Sequence, residues 1–244
     1  MSDKQATLDK LQSFIHILEA NNVIKSSSPI YELISHLQRS DKKRGLTYRL
    51  DNLVFNKIAK NQFIRHDKWN SSSFSVQLNL DVSIKTDGDF KFGDVKDSVV
   101  EIVYEVICEE TYDYAKGAWH LDYHAHGEPS ESIHPSYHFH FGGRRIKDTI
   151  ENYGELAILD TPRIMHPPLD FFLAVDFMVT NFLETRAWQG LRADNTYKRI
   201  IIESQKNWWK KYFQQISDYW EFTTNGADDI SKRGFAKLSN PHLY

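Results

Sequence analysis

Residues 74–85 alternate apolar and polar side chains without a break. Phe74, Val76, Leu78, Leu80, Val82 and Ile84 stand against Ser75, Gln77, Asn79, Asp81, Ser83 and Lys85. Successive side chains on a strand point to opposite faces, so this pattern predicts a strand with one face buried and one wet, as in antiparallel sheets. Asp87-Gly88 and Gly93 mark a turn after it. Residues 99–109 predict the next strand. Val100, Ile102, Tyr104, Val106 and Cys108 share one face, and Glu101, Glu105 and Glu109 lie on the other. Lys116-Gly117 reads as the turn into a β-hairpin over residues 119–145. On its first arm Trp119, Leu121, Tyr123 and Ala125 alternate with His120, Asp122, His124 and His126. On its second arm Tyr137, Phe139 and Phe141 alternate with Ser136, His138 and His140. The aromatic side of the hairpin is expected to be core. Gly142-Gly143 predicts a turn or bulge, and residues 156–160 a further short strand.

Helical spacing flanks these strands. Leu8, Leu11, Phe14, Ile15 and Leu18 predict an amphipathic helix over residues 4–20. Ser27-Ser28-Pro29 opens a second, carrying Ile30, Leu33, Ile34 and Leu37 and ending in the charged run 39–44, a solvated loop. Residues 46–66 fit a helix through Leu50, Val54 and Ile58, or a strand through Tyr48 and Leu50. His166-Pro167-Pro168 precedes a stretch, 169–188, that is apolar almost all round and so predicts a buried helix. Asp170, Asp176 and Asn181 make it too polar to span a membrane. Asp176, if buried, needs a partner, a histidine or an arginine, for which Arg163 is a candidate. Asp194 or Asn195 caps a last helix over 196–221, and the tail from Thr223 reads as irregular. The expected architecture is a single α+β domain over residues 1–244. It comprises a mainly helical segment (1–66), an antiparallel four- to five-stranded meander sheet (74–160), C-terminal helices (167–221) and a tail (222–244), with helices from both ends on the apolar face of the sheet.

Composition narrows the partners. The formal net charge of −3 gives no global basic field, so contact with nucleic acid must come from a local patch. Cys108 is the only cysteine, which excludes an intrachain disulfide and a zinc site built on several thiolates. The start of the chain, MSDKQATLDKLQSFI, lacks the pattern of a signal peptide, and no apolar run reaches the ~18–20 residues a bilayer span needs. The expectation is a cytoplasmic protein that does not enter a membrane.

The candidate chemistry lies in the hairpin. Of eleven histidines, His120, His124, His126, His134, His138 and His140 fall within residues 119–145. With the turn midway between the arms, His120 opposes His140 and Asp122 opposes His138, their Cβ atoms ~4.5–5.5 Å apart. Aligned apolar faces add Glu101 and Glu105 to the same side, where they read as a solvated strand face. Two chemistries suit His120, Asp122, His138 and His140. In the first they hold a divalent metal (zinc, manganese or iron) that acidifies a water and polarises a phosphoryl or carbonyl group. In the second, no metal is needed. Two imidazoles move protons around a phosphodiester, Asp122 orients one of them, and Arg144 and Arg145, which otherwise read as a solvated strand end after Gly142-Gly143, hold the phosphate. His126 and His134 flank the turn and read as loop residues, His124 fits either role, and His166 beside Pro167-Pro168 reads as structural.

The stretch from Asp122 through a proline-containing loop to His134-Pro135-Ser136-Tyr137-His138-Phe139-His140 resembles the hairpin of TumE-type toxins of bacterial toxin–antitoxin systems. In that family an aspartate on one strand is followed at similar spacing by a Pro-His-His-x-His stretch. The chain departs from it after the aspartate, where Tyr123-His124-Ala125 replaces Asn-Ala-Pro, and in its helical segments at both ends. The resemblance implies a toxin or defence effector acting on nucleic acid, with Asp122, His138 and His140 at its site. A different expectation comes from the last helix. Trp208, Trp209, Tyr212, Phe213, Tyr219 and Trp220 cannot all face one side, so some pack under the tail or meet a protein partner. On that reading the chain is a non-enzymatic subunit of a larger defence or toxin–antitoxin complex.

Overall fold

A computed structural model of the chain describes residues 3–59, 72–110, 112, 114–123, 135–142, 164–225, 234, 236, 237, 239 and 240. The fold is α+β, with a six-stranded, wholly antiparallel open sheet and five α-helices among the described residues. The strands are β1 (Thr47–Val54), β2 (Ser72–Ile84), β3 (Val95–Cys108), β4 (Tyr114–Tyr123), β5 (Tyr137–Phe141) and β6 (Ile164–Met165), and they neighbour one another in chain order. The meander therefore has more strands than the four or five expected. It begins at Thr47, inside the segment read as mainly helical. Over residues 47–54 the strand alternative holds, because Tyr48, Leu50 and Leu53 are buried and Thr47–Leu50 pairs with Leu80–Ser83. A bulge between Leu50 and Leu53 keeps both leucines on the core side. Asn52 there takes a left-handed backbone, and its N–H donates to Asn79 Oδ1 at 2.8 Å.

Helices α1 (Asp3–Ala20) and α2 (Ser28–Arg39) bury the residues that their spacing singled out, with Pro29 in the first turn of α2. After the sheet come α3 (Phe171–Phe182), α4 (Thr185–Ala193) and α5 (Asn195–Asn225). The single helix expected over 169–188 is thus two. Leu183 leaves the helical conformation and bridges to Ile58. Ala59 N–H donates to Phe182 O and Glu184 N–H to Lys57 O, so a backbone pairing competes successfully with helix continuation. Asp194 caps α5, accepting the Tyr197 N–H at 2.8 Å, and α5 runs past the expected end to Asn225. In the tail, Gly234, Ala236, Lys237 and Ser239 are helical, where an irregular chain was expected. No described helix is long and apolar enough to cross a membrane.

The core lies between the sheet and these helices. Cross-strand rows such as Leu80–Val100–Leu121–Phe139 and Leu78–Ile102–Trp119–Phe141 face it, and α2 packs on β1 and α3 on β2. Phe14 of α1 meets Phe171, Phe172 and Tyr197 at ring centroid distances of 6.0, 5.2 and 5.0 Å. Each fully buried side chain of this size contributes ~1.5–3 kcal/mol of transfer free energy, and the rows fix the strand register. The row ends are less deep than expected: Phe141 is 39% exposed. Lys116-Gly117 is not a turn either. Both residues lie within β4, and Gly117 is the cross-strand partner of Tyr104, whose ring atoms would stand 2.0–2.6 Å from a Cβ placed there. The glycine admits the ring, a use of glycine inside a strand that sequence pattern alone confuses with a turn.

Candidate functional site

The second face of the sheet carries the polar rows. Pairing runs Asn79–Glu101–His120–His140 across β2 to β5, and Asp81–Val99–Asp122–His138–Met165 across β2 to β6. The register expected of the hairpin arms is the one observed, His120 opposite His140 and Asp122 opposite His138. It follows from the alternation. Leu121 and Phe139 pair on the core face, which drives the intervening histidines and the aspartate to the other.

Asp122, His138 and His140 converge, each offering a ligand atom within 4.8 Å of the other two. His140 Nε2 lies 3.2 Å from Asp122 Oδ2. Burial pushes the Asp122 carboxyl up. The hydrogen bond to His140 and the charges of His120, His140 and His138 outweigh burial, and hold it below the usual carboxylate range. Asp122 is therefore an anion at neutral pH. His138 is wholly buried, and its Nδ1 lies 3.1 Å from the Pro135 carbonyl oxygen. A carbonyl only accepts, so Nδ1 carries the proton and Nε2 carries the lone pair of the neutral ring. A ring nitrogen held this way is how ligand histidines are oriented in metal sites.

His120 adjoins this group. Its ring stacks on that of His140 at 5.3 Å and 16°, and His138 stacks on His140 at 5.5 Å and 23°. Its Nδ1 lies 3.4 Å from Glu101 Oε1, and both side chains are largely buried. Glu101, expected on a solvated strand face, is thus part of the cluster. Glu105 is not: it meets Lys116 at 3.3 Å and accepts the Tyr114 hydroxyl at 3.0 Å, two rows further along that face from the histidines. His120 Nε2 and His140 Nδ1 are buried without a hydrogen-bond partner among the described residues. Buried polar atoms of native proteins rarely stay so, which marks these two as positions for an added ligand.

The other sequence candidates fall elsewhere. His166 stands on the core side, its ring against Phe139 and Phe177 and its Nδ1–H donating to Pro167 O at 2.6 Å. Burial lowers its pKa. Asp176 is bound by Arg192 at 3.4 Å and by the Tyr197 hydroxyl at 3.0 Å; the candidate Arg163 lies outside the described residues. His124, His126, His134, Arg144, Arg145 and the strand expected over 156–160 also lie outside them.

Two histidines and one carboxylate make a donor set suited to zinc, manganese or iron, with coordination positions left for water or substrate. Compared with protein-family models, with curated proteins and with solved structures, the chain matches none.

Proposed function

We propose that Asp122, His138 and His140 bind a divalent transition-metal ion and that the chain is a hydrolase of phosphodiesters, a nuclease-like toxin or defence effector of the cytoplasm. The convergence of their three ligand atoms within 4.8 Å carries this reading. The resemblance of residues 122–140 to TumE-type toxins supports the choice of nucleic acid as substrate. A metal held there by Asp122, His138 and His140 would supply Lewis-acid chemistry, an acidified water and a polarised phosphoryl group. Asp122 supplies the negative charge, Pro135 fixes the His138 ring, and the β4–β5 pairing fixes the distance between the two ligand strands. Arg144 and Arg145 are the expected phosphate holders.

The test is cleavage of labelled single-stranded RNA, single-stranded DNA and duplex, with zinc, manganese or iron(II) added separately. The proposal expects cleavage of at least one substrate, lost by ~100-fold or more in His138→Ala and His140→Ala that still fold. Equal rates in parent and variants would contradict it.

A second reading has its own observation. On α5, Phe213 and Trp220 are 51% and 59% exposed, while Trp208, Tyr212 and Tyr219 are buried. Those two aromatics suit a protein partner, with the histidines then serving as a buried polar network. Full occupancy by metal together with cleavage would set this reading aside.

A further inference from the structure

We infer that Glu101 is a positioning residue of the site, fixing His120 as a further nitrogen donor to the metal; the inference rests on the metal reading above. Glu101 and His120 are direct cross-strand partners, on β3 and β4, with Oε1 and Nδ1 3.4 Å apart. An ionised carboxylate only accepts, so this contact selects the Nδ1–H tautomer and leaves the lone pair on Nε2. That Nε2 is the atom buried without a partner among the described residues. Across the strand His120 faces His140, a member of the converging triad, with the two rings nearly parallel.

The sheet thus treats its three imidazoles alike. Each is held at one ring nitrogen: His138 by the Pro135 carbonyl, His140 by Asp122 and His120 by Glu101. A histidine kept only for packing has no need of a largely buried carboxylate on one nitrogen and an unpartnered lone pair on the other. Glu105, two residues along the same strand face, is instead neutralised by Lys116, which shows what a structural glutamate on this face looks like.

The experiment uses the full chain, in two arms. Two-bond ¹H–¹⁵N spectra of the metal-free protein at about pH 8, above the imidazole range, read the tautomers directly. His120 is expected as Nδ1–H in the parent and in Glu101→Gln, whose amide oxygen still accepts, and not in Glu101→Leu. Zinc titration against a chelator reads the second arm. Glu101→Leu is expected to weaken binding ~10–100-fold, the usual effect of removing a partner that orients a ligand, with Glu101→Gln close to parent. An Nε2–H tautomer at His120 in the parent, or parent affinity in Glu101→Leu, would overturn the inference. A parent that binds no zinc overturns the metal reading and this inference with it, and that failure is distinct because it is seen before any Glu101 variant is compared.

Discussion

Asp170 holds two helices together from a buried position. Its Oδ1 accepts the Leu173 N–H at 2.8 Å, capping α3, and its Oδ2 accepts the Ser204 hydroxyl of α5. Asp170→Ala removes the cap, worth ~1 kcal/mol. It also leaves the buried Ser204 hydroxyl without its acceptor, a further ~1–3 kcal/mol. Relief of a buried charge works the other way. Burial raises the Asp170 pKa, and the hydrogen bonds from Ser204 and the Leu173 N–H, with the charge of Lys10, offset this only in part. The net expectation is a loss of ~2 kcal/mol. Asp170→Asn keeps an oxygen for the Leu173 N–H, and its amide can donate to Ser204, so it should lose less than ~1 kcal/mol at pH 7. The sign with pH follows from linkage. A carboxyl raised in the native state contributes stability that is full below its unfolded pKa of ~3.9 and is lost as pH rises through the native value. The parent should show that decline and Asp170→Asn should not. Urea unfolding followed by tryptophan fluorescence from pH 3 to 7 measures both. Parent-like stability in Asp170→Ala, or a larger loss in Asp170→Asn than in Asp170→Ala, would refute the reasoning.

Two other perturbations probe the sheet. Asp122 titrates below its ordinary value, so its contribution is present above ~pH 3.9 and is lost as pH falls through the native pKa. Asp122→Asn should flatten the acid limb of the urea midpoint against pH, and an unchanged limb would contradict the charge assigned to it. Gly117→Ala should cost ~1–3 kcal/mol through the Tyr104 ring, read as a lower urea midpoint. In a double-mutant cycle Tyr104→Ala should recover part of that loss, and strict additivity would show that the ring is not what excludes the side chain.

Much of this was legible in the chain because alternation constrains register. Leu121 and Phe139 must face the core, and that one requirement puts His120, Asp122, His138 and His140 together on the other side. Glu101 was harder to judge. Its face can be read, but its partner depends on how β3 pairs with β4, and Gly117, which reads as a turn, lies in the middle of that pairing. The split between α3 and α4 was not legible locally. Residues 169–188 are apolar almost all round with no break signal, and the break comes from a backbone pairing with Lys57–Ala59, more than a hundred positions earlier. Asp176 does meet an arginine, but which one could not be read locally, for a related reason. Arg192 approaches only because α4 turns back after that break.

The central claim is that the β4–β5 hairpin holds a metal ion. The most direct measurement is elemental analysis of the full chain purified without nickel affinity, beside His138→Ala and His140→Ala. The account predicts close to one equivalent of zinc, manganese or iron in the parent, and its loss from both folded variants. A parent free of metal that also fails to bind zinc, manganese or iron(II) on addition would contradict it.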